Sequence, residues 1–294
     1  MRRSLAYVFG AACALAVVPV DRVAADALDD GLGPRELATG EARRADVSGG
    51  QAAALNPAGL PLTRELAFEG SYGYRASDAA SLVSLSACDS TNVAPGCFYY
   101  RYAGGDTVDG RHQRSHVAGL TLSRPLNARV MLGAGARYIN YAGAAADGSE
   151  DIKGFNWDVG GAIRLTEQLN LAVVGNNLFG TENAAVARTV SGGLSFRPLP
   201  ALVTLFDAKW NLSTDGATGR YGGGAEYFVA TASGQTGYPV RAGVVHDVAA
   251  GTFVTGGLGI ATVKFALDVG VRKQVTDGDA LTVIGSLRVF GPRQ

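Results

Sequence analysis

The chain has 294 residues, 47% of them hydrophobic and 18% charged, enough for one large domain and too apolar to stay disordered. Its 26 basic and 26 acidic side chains give a formal net charge of zero, so nothing asks for nucleic acid or another polyanion as a partner. The 41 glycines argue against a helical fold, because glycine is costly inside regular elements unless backbones pack closely or the chain bends.

Met1-Arg2-Arg3 is a basic start, residues 4–20 are mostly Ala, Val and Leu, and Val23-Ala24-Ala25 offers a small-residue cleavage site before Asp26. This predicts a secretory signal peptide over residues 1–25. A retained membrane helix is the alternative, but the apolar stretch ends at Asp21 and no later segment reaches the roughly 18–20 apolar residues that a spanning helix needs. Cys13 lacks the Leu three positions earlier that a lipoprotein cleavage box requires, so the mature chain keeps Cys88 and Cys97. Their spacing, in a Ser/Thr/Asn/Pro/Gly stretch, suits a loop-closing disulfide; two free surface thiols are the alternative.

Residues 26–63 are turn-rich, with Asp-Asp-Gly, Ser-Gly-Gly and Asn-Pro-Ala-Gly clusters and no sustained period. From Leu66 onward the pattern changes to period-two alternation, the mark of half-buried strands. Val263, Phe265, Leu267, Val269 and Val271 share one face while Lys264, Ala266, Asp268, Gly270 and Arg272 share the other. Phe155, Trp157, Val159, Ile163 and Leu165 alternate in the same way with Asn156, Asp158, Gly160 and Arg164. Val203, Leu205 and Ile284 break the pattern by placing apolar side chains on the polar phase.

Strands are predicted near 64–75, 113–124, 128–142, 152–165, 168–179, 187–197, 201–213, 219–230, 238–248, 252–261, 262–275 and 280–290. That makes twelve, or fourteen if Ser81–Ala87 and Phe98–Ala103 add a hairpin. Tight connections follow even-numbered strands and longer ones follow odd-numbered strands, as in outer-membrane barrels with short periplasmic turns and both chain ends in the periplasm. Ala230–Tyr238 is a longer even-side turn.

A secreted β-sandwich also alternates, but its solvent face is normally crowded with Lys, Glu and Thr. Here the second phase is rich in Gly, Ala and Ser with isolated charges of both signs, as if facing an interior of limited width. The first phase is nearly free of charge, and a midplane Arg or Lys on a lipid face costs about 2–4 kcal/mol. Trp157, Trp210, Tyr138, Tyr221 and Tyr227 fall on the apolar phase near strand ends, where aromatic girdles lie. The expected fold is therefore all-β: a closed antiparallel transmembrane barrel over residues 64–290, with a short tail at 291–294, in the cell outer membrane. Outer-membrane lipids and the barrel-assembly machinery are the expected partners.

Expected lumen-lining residues are Glu69, Arg137, Asp158, Arg164, Asp207, Lys209, Glu226, Asp268 and Arg272, joined by Glu65, Arg129, Lys264 and Arg288. They read either as a hydrated path that selects solute or as an internal salt-bridge lattice that stiffens and fills the barrel. No catalytic, metal or cofactor site is expected. His112 and His116 stand four apart on a stretch that reads as loop running into strand, His246 is isolated, and adjacent Ser115 and His116 would point to opposite faces.

Asn56-Pro57-Ala58-Gly59-Leu60, after Gly49-Gly50-Gln51-Ala52-Ala53-Ala54-Leu55 and just before the first strand, resembles a signature of the FadL family of outer-membrane hydrophobic-compound transporters and relatives such as PorV. The Val174–Gly180 and Phe265–Arg272 strands look like recurrent strands of that superfamily. The resemblance implies an amino-terminal hatch folded inside the barrel, here residues 26–63, and passive transport of a small hydrophobic ligand past it. A non-transporting structural barrel, or a partner for secreted proteins as in the PorV-like branch, is the alternative. Family barrels are usually longer and fourteen-stranded, and the charged run Gly40-Glu41-Ala42-Arg43-Arg44-Ala45-Asp46 departs from their Gly/Ala-rich leader. Independently of the family, Asn and Gly tolerate left-handed backbone and Pro fixes φ, so the motif predicts a rigid turn that aims the leader toward the barrel mouth. A solvent-exposed linker turn is the other reading.

Overall fold

The computed structural model describes residues 33–106, 110–143, 151–181, 186–213, 218–232 and 234–292; the expected signal peptide, the first residues of the leader and the last two residues lie outside these. The strands are Leu66–Arg75 (β1), Ala80–Asp89 (β2), Gly96–Asp106 (β3), His112–Pro125 (β4), Val130–Ala142 (β5), Ile152–Arg164 (β6) and Leu169–Gly180 (β7). They continue as Thr189–Leu199 (β8), Leu202–Asn211 (β9), Arg220–Ala230 (β10), Thr236–Asp247 (β11), Gly251–Thr262 (β12), Phe265–Gln274 (β13) and Leu281–Phe290 (β14). Each pairs antiparallel with the next, and β1 closes on β14 from Ala67↔Phe290 to Arg75↔Thr282. Closure satisfies every strand edge, which hydrocarbon demands because it offers no hydrogen-bond partner of its own.

The strand count is fourteen, the higher of the two expected counts, because the hairpin expected from Ser81–Ala87 and Phe98–Ala103 forms. Residues 76–112 are not one long loop but contain the β2–β3 hairpin. Alternation was blurred there because both faces carry the same residue types. Phe98, Tyr100 and Tyr102 point outward while Tyr99 points in, and Ser81 points outward while Ser84 and Ser86 point in. Cys88 and Cys97 are bonded, directly opposite each other in the register, so the disulfide closes the 90–95 turn, as their spacing suggested, from within the two paired strands. The long even-side turn also shrinks: β11 begins at Thr236, leaving only 231–235 as the connection.

The connections 90–95, 126–129, 165–168, 200–201, 231–235 and 263–264 share a rim with the start of β1 and the end of β14. Short turns mark that rim as periplasmic. The outward phase carries Leu120, Leu122, Leu132, Val159, Val173, Phe206, Leu258, Val269 and Leu287, all exposed, as hydrocarbon requires. Aromatic pairs stand among them, Tyr138 with Phe155 at 5.1 Å between ring centroids and Trp210 with Tyr221 at 6.2 Å.

The three residues that spoiled the alternation have a common explanation. Val203, Leu205 and Ile284 sit on the inner face and are buried, the first two against Ala42 and the third in a cluster with Leu37, Val47 and Leu60. These apolar side chains pack against residues 33–63, which lie along the inner wall. A short helix, Pro34–Ala38, rests on β12, β13 and β14, and a 3₁₀ helix, Pro57–Leu62, rests on β4, β5 and β6.

Candidate functional site

The inner segment meets the wall at two levels. Near the periplasmic rim lies Asn56–Leu60. Asn56 is fully buried; its Oδ1 accepts from the Ala58 N–H at 3.0 Å and its Nδ2 donates to the Arg44 carbonyl at 2.9 Å. One side chain thus caps the Pro57–Leu62 helix and ties it to the returning limb. Ala58 packs on Met131 of β5 and Ala162 of β6.

The motif turns without using left-handed backbone. Asn56 is extended, with φ −159° and ψ 104°, and Gly59 has no positive φ. Gly59 is needed instead for close approach, since a Cβ there would stand 2.6 Å from Val47 Cγ1 and 2.8 Å from the Val47 carbonyl oxygen. Below the motif, Gly133 and Gly160 are cross-strand partners whose missing side chains admit the Asn56–Ala58 backbone. A Cβ at Gly133 would lie 2.5 Å from the Ala58 nitrogen, and one at Gly160 would overlap Asn56 Oδ1. Replacing Asn56 with Ala should leave a buried carbonyl and a buried N–H unpaired, costing about 2–3 kcal/mol. The expected result is a lower temperature for loss of the fast-migrating folded band on gels. Asn56→Asp, which keeps only the cap, should fall between; equal temperatures for all three proteins would refute the role.

The second level lies toward the outer rim, where the chain doubles back at Gly40 and Glu41 in left-handed conformation, φ 67° and 59°. Gly40 is required there, as a Cβ would press on the Val244 carbonyl oxygen at 2.7 Å. Its N–H donates to Thr255 Oγ1 at 3.1 Å, and that hydroxyl donates to the Ala38 carbonyl at 3.1 Å. Glu41 receives Arg220 through both oxygens at 2.7 Å, and its Oε1 also receives Arg272 at 2.7 Å. Arg220 in turn reaches Asp247 at 2.8 Å. Burial by itself would raise the Glu41 pKa, but Arg220 and Arg272 outweigh it and hold the carboxyl well below the usual carboxylate range.

Other charges of the run bind the same side of the wall. Arg43 pairs with Glu226 at 2.9 Å and with Asp46 at 3.0 Å. Arg44 donates from both backbone and side chain to Asp207, at 3.0 and 2.9 Å, while Asp46 meets Arg197 at 3.2 Å. The wall completes the network: Arg241 bridges Glu226 and Asp268, each at 2.6 Å, with Arg288 3.9 Å from Asp268. A polar cavity of about 20 Å³, the size of a single water site, opens between Glu41, Arg44, Asp207, Lys209 and Arg220.

Of the residues expected to line the lumen, Asp207, Glu226 and Arg272 therefore pair directly with the 41–44 run, Asp268 joins through Arg241, and Lys209 lines the small cavity beside them. Arg137 and Asp158 form a separate node, 3.2 Å apart, closed by Asn177 in a β7 bulge where its backbone turns left-handed at φ 55°. Glu69 faces inward beside Gly49 and Gly50 and makes no ion pair among the described residues, and Arg164 stays half-exposed at the periplasmic end of β6. Ser115 faces the lumen and His116 the outside, so the two do not meet. Sequence reasoning passed over Glu41, Arg43, Arg44 and Asp46 as binding groups. The available signal was a dense charged run in a leader that precedes a wall whose inner phase carries isolated charges of both signs.

Fold and site together define an outer-membrane β-barrel whose amino-terminal segment is held inside the wall. No protein-family profile matches the chain, and no curated protein sequence does. Solved structures are similar to it. The toluene transporter TodX of Pseudomonas putida superposes with a TM-score of 0.68 at 12% identity, over 88% of this chain and 98% of that one. The toluene transporter TbuX of Ralstonia pickettii gives 0.66 at 12%, over 89% and 99%, and the monoaromatic hydrocarbon channel CymD gives 0.67 at 13%, over 90% and 98%. At such identities the likeness is one of fold, and it is the fold that the Asn56–Leu60 resemblance implied.

Proposed function

We propose that the barrel passes small hydrophobic solutes across the outer membrane, with residues 33–63 acting as a hatch that occludes the lumen. The observation that carries this reading is an apolar sector of the inner wall. Leu82, Val117, Ile139, Tyr141 and Ile152 lie in the outer half of β2–β6, face inward and are buried, so contact with lipid does not explain them. Leu37, Val47 and Leu55 of the segment belong to the same cluster. The segment is thus tied by ion pairs toward β8–β13 and by non-directional apolar contacts toward β2–β6.

An apolar solute entering from outside would exchange water for this sector, gaining about 25 cal/mol per Å² of apolar surface removed from water. The inward charge within this sector, Arg101, stacks on the Tyr99 ring opposite Val117. The apolar side chains around it can separate and re-form without breaking an ion pair, so passage runs between sector and segment while the ion-paired side stays fixed. The fold shared with two toluene transporters and a monoaromatic hydrocarbon channel makes a monoaromatic hydrocarbon the first solute to try.

Cells carrying the barrel should accumulate radiolabelled toluene faster than cells without it. Deleting residues 33–55 should turn a nearly silent protein into a conducting pore in planar bilayers. Equal toluene accumulation, together with a deletion variant that folds but stays silent, would instead favour a non-transporting structural barrel.

A further inference from the structure

The outward face of a membrane barrel should be apolar between its aromatic girdles. On β3–β6, just inside the outer rim, it is not. Tyr102, His116, Asn140 and Lys153 stand side by side in one register row across four strands, all on the outward phase. Tyr100 joins them, its hydroxyl 2.7 Å from His116 Nδ1, and the Tyr102 ring lies 5.1 Å from the imidazole. The Tyr102 hydroxyl leans over Gly104, toward the rim. One pleat higher on β4 is Arg114, opposite Ala142. Short Asn140 and Ala142 on β5 therefore lie between the long side chains of Arg114 and Lys153.

Arg114 and Lys153 are exposed and make no hydrogen bond or ion pair among the described residues. Other outward polar groups of that rim behave differently. Lys273 donates to the Asp279 carbonyl, His246 meets Thr252 at 3.1 Å, and His112 meets Asp106 at 2.9 Å. Among the described residues, the remaining carboxylate at the top of this patch, Asp151, accepts the Gly143 N–H at 3.1 Å. Two cations with no hydrogen-bond or ion-pair partner among the described residues thus flank a row of hydrogen-bonding groups at the level of lipid headgroups.

We infer that this patch is a binding surface for a phosphate-bearing lipid of the outer leaflet. The phosphate lies between Arg114 and Lys153 over Asn140 and Ala142, the Tyr102 and Tyr100–His116 groups take sugar or ester oxygens, and the acyl chains run down over Tyr138 and Phe155. Charge complementarity selects the occupant: a second copy of the barrel would bring its own Arg114 and Lys153 against these, and a neutral lipid would leave both cations unmatched.

The test uses the purified full-length barrel in neutral detergent micelles, titrated with bisphosphorylated lipid A or with the same lipid after removal of its phosphates. The native protein should bind the phosphorylated form more tightly. Arg114→Gln with Lys153→Gln should weaken that binding about twenty-five-fold, at roughly a fivefold loss for each cation near a charged lipid surface. Arg114→Lys with Lys153→Arg should retain it, and millimolar inorganic phosphate should not compete, which separates a lipid from a free-anion site. Folding of each variant is read from heat-modifiable gel migration. If the glutamine pair does not fold, the two lipids on native protein decide: equal affinity for both overturns the inference. So does undiminished lipid binding by a folded glutamine variant, or self-association of the native barrel that this variant abolishes.

Discussion

Glu41→Lys should release the inner segment and produce the largest change of any single substitution in the protein. The carboxylate is held by two guanidinium groups, and the lysine would place a third cation between Arg220 and Arg272 in a largely buried site. Breaking a buried pair by losing one partner costs about 3–5 kcal/mol, more than the contacts of one short turn can restore. The expected outcome is a barrel that still migrates as folded but conducts in planar bilayers, with the segment opened to protease. A silent, protease-resistant variant would show that Glu41 does not hold the segment.

The same residue sets an acid dependence whose sign follows from its lowered pKa. A carboxyl held below its unfolded value adds stability that is fully present above that value, 4.5 for glutamate, and is lost as pH falls below it toward the folded pKa. Conductance of the native barrel should therefore rise only on acidification below about pH 4.5. Glu41→Gln should leak at neutral pH and lose most of that acid-dependent rise. An identical acid profile in both proteins would move the titrating group elsewhere.

Adjacent glycines on β6 supply the second test, because they differ in which face they present. Gly160→Val should expel the Asn56–Ala58 turn: its Cβ would overlap Asn56 Oδ1 and lie 3.1 Å from Pro57 Cδ, in a place where the neighbours cannot shift without leaving the wall. Gly161→Val, one residue on, points outward with only Leu132 Cδ2 at 3.8 Å, and should be nearly silent or slightly favourable on a lipid face. Overpacking commonly costs about 1–3 kcal/mol, and more where the obstacle is a hydrogen-bonded buried group. The check is the unfolding temperature and bilayer conductance of both variants side by side. Equal effects would mean that the motif does not seat on Gly160.

Much of the wall was legible from period two alone. Over residues 265–272 the outward side chains are all apolar and the inward ones include Asp268 and Arg272, because one face meets hydrocarbon and the other an interior that tolerates charge. The β2–β3 hairpin was less clear, since tyrosine and serine sit on both of its faces. Val203, Leu205 and Ile284 looked like defects because alternation reports which side a residue faces and not what waits there. Glycine count was likewise visible before its cause: at Gly133 and Gly160 the wall is thinned to admit another backbone.

Compartment, all-β class and the strand-by-strand division into lipid and lumen faces came from the sequence, because each depends on local composition or on a two-residue repeat that any stretch displays by itself. Closure at fourteen strands, the seat of Asn56–Leu60, and the pairing of Glu41, Arg43 and Arg44 with Arg220, Arg272, Glu226 and Asp207 were decided by tertiary structure. Those partners lie more than 150 residues apart along the chain. A charge carries no mark of the partner it will meet, and only the curvature of the closed wall brings them within hydrogen-bonding distance.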